Sequence, residues 1–195
     1  MSESSPIKDA LYAKIEEIGQ EQIHQILLNG KFSELFEKIY GSVIQSVHNI
    51  EEYEKHGTLA ESLTHYLFTE MLIPSQRKIT FKNIELDMII PNTEELQKNS
   101  HNTIMIFFVK TSNIEEIKQR IQDIKKIQEE DLNIWIISKD HIEIPQSTYI
   151  TEKESFGKFL KDAQNFIKTK KMNKLNIFKT KVCLLYTSPS PRDRG

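Results

Sequence analysis

The chain has 195 residues, 38% of them hydrophobic and 28% charged, with a formal net charge of -2 at pH 7. That length suits one domain with a real core, and so small a charge does not announce a nucleic-acid binder. The start lacks a basic region followed by an apolar run, so it is no secretory signal. No apolar stretch approaches the ~20 residues needed to span a bilayer, so a soluble, cytoplasmic protein without membrane partners is expected.

In chain order, residues 11–26 carry Leu11, Ile15, Ile18, Ile23 and Ile26 near helical spacing, which predicts one helix ended by Asn29-Gly30. A second helix follows, with Phe32, Leu35, Phe36, Ile39 and Tyr40 on one side, continuing toward Val47. These stripes read as core. Gly57-Thr58 then opens a helix that carries Glu61 among Leu59, Leu63 and Leu67. After Pro74 the period changes to that of strands at 78–81, Ile84–Ile90 and 104–109, with a Lys82-Asn83 turn and a polar loop over 92–102. The third is nearly all apolar, as a strand buried on both faces should be. Residues 114–130 form an amphipathic helix with isoleucines inward, 132–138 and 147–151 are strands, and 156–167 is a closing helix. A helix between two buried strands implies a right-handed crossover and a locally parallel pair. The expected fold class is α/β, a mixed sheet flanked by helices behind a helical N-terminal extension.

The expected division is a helical extension over 1–56, an α/β core over 57–167, a basic segment over 168–182 and a foreign tail over 183–195. The tail, CLLYTSPSPRD followed by Arg194 and Gly195, reads as the in-frame translation of a sequencing adapter. Setting it aside removes the only cysteine, hence any disulfide or thiol nucleophile. On this reading the natural chain can continue past Val182. The histidines show no zinc-type spacing.

One constellation carries chemistry. Residues two apart on a strand share a face about 6.5–7 Å apart, so Glu85 and Asp87 are expected to project together, with Leu86, Met88 and Ile90 opposite. On the next strand Ile106, Phe108 and Lys110 share a face, and pairing as a hairpin brings Asp87 near Lys110. Glu61, with His65 one turn later, can overhang that sheet end. The bland alternatives are an Asp87–Lys110 ion pair at a sheet end and a surface acid at Glu61.

Ala60-Glu61 with Tyr66-Leu67, then Glu85-Leu86-Asp87, then Phe107-Phe108-Val109-Lys110-Thr111 resembles the restriction-endonuclease-like PD-(D/E)XK superfamily, closest to the YraN-like group and the archaeal Holliday-junction resolvases. The motifs span about residues 57–112 and the element order extends to about 167. The resemblance implies a restriction-endonuclease-like sheet and a site holding magnesium or manganese. Asp87, Glu61 and Glu85 would be the candidate metal ligands, and Lys110 would polarise the attacking water.

Phe108 departs from the pattern, standing where a second carboxylate belongs. One carboxylate about 4 Å from a unit charge is worth roughly 4 kcal/mol at an effective dielectric near 20, whereas a buried Phe gains about 1.5–3 kcal/mol of packing. An acid recruited from Glu85, Glu115, Glu116 or Asp123 would restore a metal site.

Residues 158–181 form the one strongly basic region. Lys168, Lys170, Lys171 and Lys174, interleaved with Phe166 and Phe178, are candidate phosphate contacts, against the alternative of a solvated helix end and tail. The expectation is a protein associated with DNA or RNA whose nuclease-like metal site is degenerate. An active magnesium-dependent endonuclease and a non-catalytic protein-interaction domain remain the alternatives. A homodimer is compatible with the sequence, but no residue specifies its interface.

Overall fold

Pro6 sits in the first turn of α1 (Pro6–Ile18), where its missing N–H costs nothing. The computed structural model describes residues 5–183, with side chains described through 169. Helix α1 buries Ile7, Leu11 and Ile15 and stops at Gly19, whose φ of 85° is left-handed. The chain restarts as α2 (Gln20–Leu28), so the single helix expected over 11–26 is two. Glycine adopts that backbone without the Cβ penalty other residues meet. Helix α3 (Phe32–Phe36) passes through a π turn, Glu37–Gly41, into α4 (Ser42–Ser46).

Helix α5 (Glu52–Glu70) begins a full turn earlier than expected, capped by Glu51, whose side chain accepts from the Glu54 amide at 2.9 Å. Gly57 therefore lies inside α5, as does the expected division between residues 56 and 57. An added Cβ at Gly57 would run into the Val109 carbonyl oxygen. The glycine is there for close approach, not to start a helix.

Strands β1 (Gln76–Phe81), β2 (Ile84–Ile90), β3 (Ile104–Phe108), β4 (Ile134–Ser138) and β5 (Ser147–Ile150) form one sheet in sequence order. Pairs β1–β2 and β2–β3 are antiparallel, and β3–β4 and β4–β5 are parallel. The expected polar loop contains α6 (Thr93–Lys98) and a 3-10 turn, Ser100–Asn102. Asn92 caps α6 by accepting from the Glu95 amide. The crossover helix α7 (Ile114–Lys125) ends sooner than its apolar pattern suggests. Gln128, fully buried, turns inward and donates to the Ser100 and Thr103 carbonyls. The last helix is α8 (Lys153–Cys183).

One face of the sheet packs under α5, α8 and the N-terminal helices: Met88, Ile90, Ile106 and Phe108 join Leu59, Leu63, Leu11 and Phe159 in one cluster. The N-terminal helices thus share a core with the sheet. The other face packs under α7, with Leu86, Ile89, Phe107 and Val109 against Ile117 and Ile121. Among the described residues no helix is long and apolar enough to cross a membrane.

Leu86 and Met88 sit in opposite clusters although two apart on β2, so Leu86, Met88 and Ile90 do not share a face as strict alternation predicts. The cause lies across the hairpin. Lys78 has a left-handed φ of 50°, and it falls between the paired positions Arg77↔Met88 and Ile79↔Leu86. The ribbon turns over at that point. Arg77 is left on the α5 side while Ile79 packs on the α7 side.

Candidate functional site

The turnover at Lys78 and the close approach at Gly57 together build the site. Because α5 closes through Gly57 onto the Val109 backbone and the Lys110 side-chain stem, Glu61, one turn further on, meets the Lys110 ammonium. Lys110 Nζ donates to Glu61 Oε2 at 2.7 Å, and Arg77 Nη2 donates to Oε1 at 2.8 Å. The Glu61 side chain is 3% exposed, against 22% for Arg77 and 36% for Lys110. Burial alone would raise the Glu61 pKa, but the hydrogen bonds and charges of Lys110 and Arg77 outweigh it and hold the carboxyl below its ordinary value. Glu61 is a fixed anion with each oxygen engaged by a cation.

Asp87 occupies the point where β2 and β3 part. Their paired register runs from Ile90↔Ile104 to Met88↔Ile106. Beyond it the Phe108 amide donates to Asp87 Oδ2 at 2.9 Å, so a side chain takes over from the backbone ladder. Oδ1 lies 3.7 Å from Arg120 Nη2, too far for a direct hydrogen bond. Burial pushes the Asp87 carboxyl above its usual range, opposed by the Phe108 amide and the Lys110 charge, while Glu61 adds to the rise.

The remaining candidates distribute around these two acids. Phe108 is 1% exposed, its ring in the core beneath α5. Glu85 is exposed and lines, with Lys78, a cleft of about 290 Å³ that reaches Glu61, Asp87 and Lys110. His65 is partly buried, and burial together with the Arg77 charge lowers its pKa. At the start of α7, the Glu115 and Glu116 amides are capped by Asn113. The Glu115 side chain pairs with Lys118 and Asp123 with Lys126. Glu116 and Asp123 also line a second cleft, of about 360 Å³, on the far side of Asp87.

Lys168 is exposed on α8, as are Lys158 and Lys161, and none of the three makes an ion pair among the described residues. The side chains of Lys170, Lys171 and Lys174 lie outside the described residues, as does the tail from residue 184 onward. Helix α8 packs beside α3 and β5, whereas Asp87 and Glu61 sit at the β1–β2–β3 side. About three inter-strand spacings of ~4.8 Å separate β2, which carries Asp87, from β5. The basic helix and the acidic sheet end are separate features.

Sequence reasoning missed the two arginines. Arg77 and Arg120 are the only arginines in residues 1–182, and each faces one of the candidate acids. In a lysine-rich chain that choice was a legible signal, because a planar guanidinium suits a buried carboxylate better than an ammonium does.

A magnesium ion requires several hard oxygen ligands converging on one point. Among the described residues no group of three histidine, cysteine, aspartate or glutamate side chains could hold a metal ion. Glu61 is already neutralised by two cations, and Phe108 offers no oxygen. The donor set as arranged does not fit a resident divalent ion. Comparison of the chain with protein-family models, with curated proteins and with solved structures finds no match.

Proposed function

We propose that this is a nucleic-acid-associated protein of the restriction-endonuclease-like kind, in which a metal site has given way to an internal ion-pair cluster. The element order supports the kinship: a helix carrying Glu61, an antiparallel β1–β2–β3 meander carrying Asp87 and Lys110, and parallel β4 and β5. The single observation that carries the reading is the double clamp on Glu61. Two fixed unit charges, Arg77 and Lys110, sit on its two oxygens, supplying the positive charge that a divalent ion would otherwise bring to that carboxylate. Phe108 then gains core packing at the vacated ligand position.

Binding on this reading is to phosphate backbone, by the partly exposed Lys110, Arg77 and Arg120 at the sheet end and by the lysines of α8. Salt-dependent affinity for DNA or RNA, unchanged by chelator, is the expected result. The test is fluorescence-anisotropy binding of single-stranded, duplex and four-way-junction DNA across a salt series, with magnesium- or manganese-dependent cleavage measured beside an Asp87→Ala variant. Absence of salt-sensitive binding would sink the reading in favour of a protein-interaction domain. Metal-dependent cleavage that disappears with Asp87→Ala would instead establish an active nuclease with a recruited acid.

A further inference from the structure

The cleft of about 360 Å³ between the diverging ends of β2–β3 and helix α7 meets the ion-pair cluster at Lys110. Its apolar lining is Phe107, 8% exposed, Phe108, 1% exposed, and Ile117, 3% exposed. Its wall is Asp87, whose Oδ1 lacks a direct donor because Arg120 stops 3.7 Å short and Lys110 Nζ is turned to Glu61. Arg120 and Lys110, both partly exposed, also line it. An aromatic lining, one partly buried acceptor and two cations match the parts of a nucleotide: a flat ring, an edge of N–H donors and a phosphate. Aromatic contact is sequence-tolerant, whereas a carboxylate selects an edge that donates. Glu116 and Asp123 line the same cleft, so its three carboxylates face two cations, which disfavours the added charge of a di- or triphosphate.

We infer that this cleft takes one unstacked nucleobase of a single-stranded nucleic acid, its donor edge on Asp87 and its phosphate near Arg120 and Lys110. The inference rests on the nucleic-acid reading above and narrows its partner to single strands or to bases out of the stack.

The experiment uses the full chain in two arms. In the first, amide chemical shifts are followed while dGMP, dAMP, dCMP and dTMP are titrated. Shifts centred on Thr111, Gln119 and Arg120 are expected with all four, because every one of these bases, thymine through its N3–H, has a donor for Asp87. Gln119→Trp, which fills the mouth from an exposed position on α7, should abolish them. In the second arm, a single strand should bind at least tenfold tighter than its duplex, and Gln119→Trp should erase that preference while leaving the salt slope. Silent cleft amides, or shifts that survive Gln119→Trp, each overturn the inference. If oligonucleotides still bind in those cases, the broader reading stands. Mononucleotide binding without any oligonucleotide binding would make the ligand a free nucleotide and overturn both.

Discussion

Replacing Glu61 by glutamine keeps the shape of the side chain and removes its charge from between Arg77 and Lys110. Each contact, at 2.7–2.8 Å between heavy atoms, is worth several kcal/mol gross at an effective dielectric near 20, and desolvation offsets much of it. Removing one member of a buried pair typically costs about 3–5 kcal/mol. Arg77 and Lys110 are partly exposed and regain water, and glutamine still accepts one hydrogen bond, so a loss of about 2 kcal/mol is expected. For a chain of this size that corresponds to a Tm lower by roughly 4–8 °C. The loss should also depend on pH. The Glu61 pKa is lowered in the folded state, so its stabilising contribution is complete above the unfolded value near 4.5 and disappears as pH falls through the lower folded value. Urea denaturation of wild type, Glu61→Gln, Arg77→Met and the double variant, at pH 7 and again at the lowest pH at which the wild type folds, measures both effects. The double-mutant cycle should return a coupling on the order of 1–2 kcal/mol at pH 7 that shrinks in acid. A Glu61→Gln loss below about 0.5 kcal/mol with no pH dependence would refute the clamp as the organising feature of the site.

Asp87→Asn should raise stability at pH 7 by on the order of 1 kcal/mol, because the amide oxygen keeps the Phe108 N–H bond without a buried charge. Since the Asp87 pKa is raised on folding, wild-type stability falls as pH climbs from the unfolded value through the folded one, so the gain should vanish in acid, as denaturant titrations at several pH values would reveal. Gly57→Ala should lose about 1–2 kcal/mol despite alanine's better helix propensity, because the new methyl meets the Val109 carbonyl; a more stable variant by thermal melting would contradict the close approach. Phe108→Glu should cost more than about 3 kcal/mol, combining lost core packing with a buried charge. Millimolar manganese should not restore its Tm, and a metal-dependent recovery would mean that Arg77 and Lys110 do not exclude a metal from this position.

The long amphipathic and fully apolar segments were legible without coordinates. Ile84–Ile90 and the helix at Ile114 stand where their periodicity places them, because burial of a whole face leaves a repeating pattern. The parallel β3–β4 pair followed from the length of the helix between them. The breaks were less legible: Gly19 splitting one helix in two, and the short α6 inside a polar segment, depend on single capping and turn residues rather than on period.

For the site, the sequence by itself determined that Glu61, Asp87 and Lys110 come to one end of the sheet, since a hairpin and the helix before it leave few alternatives. It also determined that a phenylalanine, Phe108, stands where the resemblance implies a carboxylate, because that residue can be read directly. Only the tertiary structure decided which partner each acid takes. A left-handed Lys78 turns the hairpin over and delivers Arg77 to Glu61. Gly57 lets α5 close onto Lys110. Asp87 is left between the parting strands, bonded to an amide and short of Arg120. Electrostatic pairing depends on ångström-scale distance and on burial. Both are set by contacts between residues far apart in the chain, so no local pattern encodes them.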